Sequence, residues 1–294
     1  MAVPLDVRVT LGIHRRGTGD PTMRLEPDGR AWRATRTPEG AATTLITRLP
    51  GGTGVRVRAW GPGAAWAAAA VPALLGLHDD PAALVPRHAA IVDAIRRSPG
   101  LRIGRTAAVL EALVPAILEQ KITGDEARRA FRALVIRHGE PAPGPGGLRL
   151  QPLASTLAGL PYHAFHPLGI ERRRADLIRA LAAQADRVEA TAVLEPAAAY
   201  AWLGRIPGIG PWTAAEVGMR AFGDADALSV GDFHLRNMVA FALAGEARGT
   251  DERMVQLLEP YRGQRGRVTR LLERGGPRPP RYGPRMPTRH IETL

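Results

Sequence analysis

The hydrophobic period of this chain changes once, and that change sets its fold class. Up to about residue 62, apolar and polar residues alternate in short runs: Leu5-Asp6-Val7-Arg8-Val9-Thr10, Ala31-Trp32-Arg33-Ala34, Thr44-Leu45-Ile46-Thr47 and Val55-Arg56-Val57-Arg58-Ala59-Trp60. Asp28-Gly29 and Gly51-Gly52 punctuate them. Period two between turn signals predicts an antiparallel meander with one wet face. Gly61-Pro62-Gly63 ends it, and the Ala-rich stretch that follows predicts a helix over the other face. From about Arg87 the period is helical. It predicts helices over 87–97, 105–120, 125–137, 153–160, 172–185, 196–203, 212–222, 233–243 and 252–258, with another near 266–273. Residues 140–147 hold three prolines and three glycines and read as a loop, while 275–287 are too rich in Pro, Gly and Arg for regular structure. The class is α+β: an N-terminal antiparallel β-sheet domain with covering helices over 1–86, an all-α body over 87–275, and a basic Pro/Arg-rich tail over 276–294.

Charge narrows the partner. Lys and Arg total 40 against 28 Asp and Glu, a formal +12, and Lys121 is the single lysine. An excess of that size favours a polyanion through counterion release, nucleic acid ahead of membrane, and arginine suits planar bidentate phosphate contacts. The absence of cysteine excludes disulfides, a thiol nucleophile, cysteine-bound zinc and iron–sulfur clusters. No basic-then-apolar leader opens the sequence, and the apolar stretch 64–77 is short and interrupted by Pro72. A monomer in the cytoplasm, at the nucleoid and without a membrane, is expected.

Between two predicted helices lies Leu203-Gly204-Arg205-Ile206-Pro207-Gly208-Ile209-Gly210-Pro211-Trp212-Thr213. Glycines permit positive φ and close approach of backbone, and proline fits a first helical turn. Free N–H groups at the positive end of the second helix then make an anion site without side chains, with Ile206 and Ile209 anchoring the loop. A plain αα-turn would need the same glycines for geometry alone. Farther on, Gly231-Asp232 precedes the periodic run Phe233, Leu235, Met238, Val239. Asp232 reads as an N-cap, and a capped carboxylate is also a fixed one. Asp224 and Asp226, in the turn before it, compete for any catalytic role.

The hairpin with Gly231-Asp232 resembles the helix-hairpin-helix DNA glycosylase superfamily. The β-rich start and the Trp212-Thr213-Ala214 continuation resemble its bacterial 3-methyladenine DNA glycosylase II branch. The likeness covers roughly residues 1–275 and is dense from Leu203 to Arg236. It implies that the helical body is a helix-hairpin-helix glycosylase body and that Asp232, rather than Asp224 or Asp226, is the catalytic carboxylate. It also implies that double-stranded DNA with a damaged base is the partner. Positive charge grows on the sugar as an N-glycosidic bond breaks, and a fixed carboxylate near C1′ stabilises it and orients water.

The resemblance further implies that Gln120 and the next residue enter the duplex, although Lys121 stands where an apolar wedge is expected. Ile206, Gly208, Gly210 and Thr213 would meet the strand. Trp212 and Phe233 are the aromatic candidates for the base pocket, with core packing the alternative. Glu216 replaces a pocket tyrosine and would attract a cationic base by charge. The stretch 267–272 lacks the family's aromatics. Lyase-active members carry a lysine where Trp212 stands, so a monofunctional, water-using enzyme is expected. No organic cofactor is expected and no metal ligand is assigned, beyond an alkali-metal ion on hairpin carbonyls.

The rival classes are a non-catalytic damaged-DNA-binding protein with a degenerate pocket, and a glycosylase for oxidised or deaminated bases, which Glu216 would favour. His163 and His166, three apart, suggest a metal only weakly. Arg172-Arg173-Arg174 and, in the tail, Arg278, Arg281 and Arg285 are candidate DNA contacts or plain solvated charge.

Overall fold

The computed structural model of the protein describes residues 5–50 and 54–280. Gly51-Gly52 and the tail arginines Arg281 and Arg285 lie outside the described residues. The chain is mixed α+β and mostly helical. A first helix, α1 (Val7–Leu11), precedes strands β1 (Met23–Leu25), β2 (Ala31–Thr37), β3 (Gly40–Arg48) and β4 (Val55–Trp60). Helices α2 (Ala64–Ala69), α3 (Val71–Leu74), α4 (Ala89–Arg97), α5 (Val109–Leu118) and α6 (Gly124–His138) follow. After them come α7 (Ala154–Gly159), α8 (Tyr162–Phe165), α9 (Arg172–Ala182), α10 (Ala185–Glu189) and α11 (Pro196–Gly204). The last four are α12 (Pro211–Val217), α13 (Phe233–Ala244), α14 (Asp251–Leu258) and α15 (Arg265–Gly275). No described helix is long and apolar enough to cross a membrane.

The strands form one antiparallel meander in the order β1-β2-β3-β4, in a register that pairs Trp32 with Leu45 and Thr43 with Trp60. Two expectations fail here. The run from Leu5 to Thr10 holds α1 rather than a strand: Asp6 caps it, its Oδ1 accepting from the Val9 N–H at 2.9 Å. Val7 and Leu11, one turn apart, pack on the sheet, while Val9 faces a different core. Alternating apolar residues therefore mark a short helix held between two cores.

Nor is one sheet face wet. Met23, Ala31 and Ile46 pack against α1 and α3. On the opposite face Trp32, Ala34 and Leu45 are covered by Leu148 and Leu150. Trp32 and Trp60 stack there at 5.7 Å. The Pro/Gly loop lies directly on these rings: a Cβ on Gly144 would stand 2.6 Å from Trp60, and one on Gly146 would stand 2.9 Å from Trp32. Its glycines allow that approach.

The helices build two larger cores. One surrounds α5, whose ten residues are all buried apart from Glu111, and draws on α6, α9 and α12. The other joins α4 to α13, α14 and α15. Between them sits a small cluster of Ile13, Ile103, Ala215, Met219 and Ala227. The predicted helix from 105 begins only at Val109, because Ala107 is left-handed at φ +52°, which an α-helix cannot contain; the Thr106 and Ala107 N–H groups donate to the carbonyls of Arg220 and Ala221. Helix α12 continues through a π-helical turn, 218–222, as one rod.

Candidate functional site

Helix α11 ends at Gly204, and Ile206–Gly210 turn the chain into α12 with Pro211 at its first position. Ile209 is buried and donates to the Ile206 carbonyl at 3.0 Å, which closes the turn. Gly208 has φ +98°, where an L side chain is strained, and an added Cβ would lie 3.0 Å from Leu177. Gly210 differs. Its backbone is extended (φ −92°, ψ 178°), open to any residue, and an added Cβ would meet nothing within 4 Å. Nothing inside the fold requires glycine there. No side chain caps α12, so its first amides point outward without intrahelical acceptors. A surface position bare of side chain beside free N–H groups suits an anion brought close from outside.

Asp232 sits at the seam between the two helical cores, as the N-cap of α13. Oδ1 accepts from the backbone N–H groups of His234 at 2.8 Å and Leu235 at 2.9 Å, and the Trp212 indole Nε1 donates to Oδ2 at 3.3 Å. Three donors thus fix one half-buried carboxylate. The turn leading to it is held as well: the Asp232 N–H donates to the Ser229 carbonyl at 3.2 Å, and the Gly231 N–H donates to Asp251 Oδ1 at 3.2 Å. Gly231 is left-handed, φ +97°. The competing carboxylates are spoken for. Asp224 accepts from the Tyr200 hydroxyl at 2.6 Å, and Asp226 pairs with Arg265. Burial, with Asp224 adding its charge, raises the Tyr200 phenol far above its ordinary range.

Trp212 is half-buried beside Asp232. Phe233, the next residue after that carboxylate, is 63% exposed. It is not core packing: Arg236 lies over its ring at 5.3 Å and His234 meets it edge-on.

Glu216 departs from its expected role. Its Oε1 accepts from the Ser229 hydroxyl at 2.6 Å, and its Oε2 pairs with Arg220, one turn along the rod, at 2.5 Å. Burial by itself would raise this carboxyl, but Arg220, the Ser229 hydroxyl and Arg16 outweigh it and hold Glu216 below the usual range. A carboxylate already neutralised by arginine offers little attraction to a cationic base, so Glu216 is not the charge lure expected of it.

Gln120 and Lys121 follow α5. The Gln120 side-chain Nε2 donates to the Gly208 carbonyl at 3.0 Å and to Thr213 Oγ1 at 2.9 Å, which ties this loop to the hairpin. Thr213 is therefore a buried brace rather than an outward strand contact. Ile206 is half-buried against the first core. Lys121 is exposed with φ +57°, a left-handed backbone that costs a non-glycine residue about 1–2 kcal/mol. Arg174 is not solvated charge: it is 3% exposed, and its Nη1 donates to the Leu118 carbonyl at the end of α5. Arg172 stacks over Tyr162, which also meets His166 edge-on. Arg267 is buried in an ion pair with Asp79, and Arg278 Nη2 donates back to the Glu273 carbonyl. Ser229 and Asp251 escape sequence reasoning. Each acts across a turn, and no local spacing announces that.

No protein-family model matches the sequence. Over 169 residues the chain is 32% identical to a probable bifunctional transcriptional activator/DNA repair enzyme AlkA of Mycobacterium tuberculosis. That alignment covers 55% of this chain and 34% of the relative, so the match spans about a third of the relative's length. Among solved structures, the fold matches a 3-methyladenine DNA glycosylase of Archaeoglobus fulgidus with TM-score 0.76 and 18% identity, over 93% of this chain and 96% of that one. It also matches an 8-oxoguanine glycosylase/lyase of Clostridium acetobutylicum with TM-score 0.69 and 12% identity, over 92% and 93% of the two chains. The chain thus shares its fold with these two glycosylases and, over about half of its own length, its sequence is similar to that of the AlkA relative.

Proposed function

We propose that the protein is a monofunctional DNA glycosylase that hydrolyses the N-glycosidic bond of a flipped, alkylated purine in double-stranded DNA. The observation that carries this is the fixation of the half-buried Asp232 by three donors, beside an exposed aromatic ring. The hairpin amides around Gly208 and Gly210 hold a phosphate of the lesion strand. Gln120 locks the duplex-entering loop to that hairpin, and Lys121 fills the gap, its methylenes in the stack and its ammonium toward a phosphate. Trp212 and Phe233 present π faces to the everted base.

The chemistry is a water substitution at C1′. As the base departs with the bonding electron pair, positive charge accumulates on the deoxyribose, and the Asp232 carboxylate stabilises it at short range. Water adds at C1′, its proton passes to solvent or to Asp232, and an abasic sugar remains. An alkylated purine is already a good leaving group and asks little acid assistance, which agrees with the lack of a free proton donor among the polar groups fixing Asp232. Trp212 supplies no amine for a Schiff base, so amine attack would have to come from Lys121 or the N-terminus, and the proposed reaction has no lyase step.

The test is base release from methylated duplex DNA by the wild type and Asp232→Asn. Asparagine caps a helix as well as aspartate does, so the variant folds and binds DNA. The expected loss of release is about 100-fold or more, the scale of removing a fixed charge stabiliser. Equal release by both proteins would take Asp232 out of the mechanism. Binding without release by the wild type would favour a non-catalytic damage-recognition protein.

A further inference from the structure

We infer that Glu216 and Ser229 are positioning residues for Asp232, a role that rests on the function proposed above. The geometry is a relay of three contacts. Glu216 Oε1 accepts from the Ser229 hydroxyl at 2.6 Å. The Ser229 carbonyl accepts the N–H of Asp232 at 3.2 Å. Glu216 itself is locked by Arg220, whose Nε donates to the Ile13 carbonyl at 3.1 Å and whose Nη1 donates to the Glu216 carbonyl at 3.0 Å. Ser229 is 6% exposed, so its hydroxyl sees protein rather than water.

The consequence follows from where each residue is rooted. Glu216 rides on α12, which also carries the hairpin end and Trp212, whereas Asp232 caps α13 in the other core. Between these helices the chain runs through an irregular segment, 223–231, that no strand or helix stiffens. The Ser229–Glu216 bond pins the end of that segment to α12. Together with the direct Trp212–Asp232 bond, which holds only the carboxylate tip, it fixes the backbone of Asp232 relative to the phosphate grip, and so the place of the carboxylate against the sugar. A displacement near 1 Å of a catalytic group lowers rate by about 100-fold while leaving binding intact.

Single-turnover base release from methylated duplex DNA, alongside the Kd for the same DNA, tests this. Ser229→Ala removes only the hydroxyl and leaves the Glu216–Arg220 pair whole. The expected result is release slowed about 10- to 100-fold with Kd unchanged within about twofold, and Ser229→Thr restoring the rate. Glu216→Leu should lose as much, and adding Ser229→Ala to it should cost nothing more. Because that variant leaves Arg220 unpaired and risks unfolding, the two serine variants decide the matter. Wild-type rates in Ser229→Ala would overturn the positioning role while the glycosylase assignment stood. A loss that Ser229→Thr fails to repair, or a loss confined to Kd, would overturn it too. No release by the wild type would bring down the function and this role together.

Discussion

The two hairpin glycines, two residues apart, should respond to the same methyl group in opposite ways. Gly208 holds φ +98°, and a methyl placed on its Cα would stand 3.0 Å from Leu177, so Gly208→Ala meets backbone strain and a contact that must give. The cost is about 1–2 kcal/mol. For a chain of this size each kcal/mol moves Tm by about 2–4 °C, which predicts a fall of about 2–8 °C. Gly210 is extended with open space around its Cβ direction. Gly210→Ala gains about 0.4–1 kcal/mol by restricting the unfolded chain and loses about 0.5–1 kcal/mol at the N-cap position, so Tm should hardly move. DNA binding reverses the order of interest. If a phosphate rests on the amides at Gly210, the methyl displaces at least one charge-assisted hydrogen bond worth about 1.5–3 kcal/mol. Kd for duplex DNA should then rise about 10- to 100-fold. Thermal melting and fluorescence-anisotropy titration at fixed salt measure both quantities. A correctly folded Gly210→Ala protein with wild-type Kd would refute the phosphate grip, since no internal reason for that glycine would remain.

Lys121→Gly should relieve the left-handed backbone at φ +57° and raise Tm by about 2–4 °C. It should at the same time slow base eversion, followed by 2-aminopurine fluorescence; faster eversion would exclude Lys121 as the wedge. Incubating the protein with abasic DNA and borohydride should trap no covalent adduct, and an adduct abolished by Lys121→Ala would show a lyase. His14 predicts a pH effect. Burial first, then Arg33, Arg220 and Arg16, hold its imidazole well below the ordinary 6.5. As pH falls past about 6.5 the unfolded chain binds a proton that the folded chain refuses. His14 therefore supports full stability above that pH and withdraws it below, by at most about 1.4 kcal/mol per pH unit. His14→Gln should flatten the difference between urea midpoints at pH 7 and pH 5; an unchanged difference would count against a neutral buried imidazole.

The hairpin and the N-cap were legible because each is a local device: glycine, proline and aspartate declare their backbone roles within a few residues. What spacing could not show was who stands opposite. Glu216 and Arg220 lie one helical turn apart, a spacing that permits an ion pair, yet a pocket role for Glu216 fits the sequence equally well until Ser229 and Arg16 stand beside it. The strand expected at Leu5–Thr10 fails for a related reason. Alternation reports burial on alternate residues, and a five-residue helix lodged between two cores buries Val7, Val9 and Leu11 just as a strand would. The Pro/Gly loop at 140–147 was legible as a loop, but not as the roof over Trp32 and Trp60, since its contacts come from residues about a hundred positions away. Phe233 could be assigned to neither core nor surface from its neighbours alone.

Asp232 and the hairpin are rooted in separate cores, and the small cluster that packs apart from both mixes two alanines, Ala215 and Ala227, with the longer Ile13, Ile103 and Met219. Such a cluster behaves as a shim: a larger side chain at either alanine would press on those longer neighbours and shift one helical core against the other, without altering any atom of Asp232 or the hairpin.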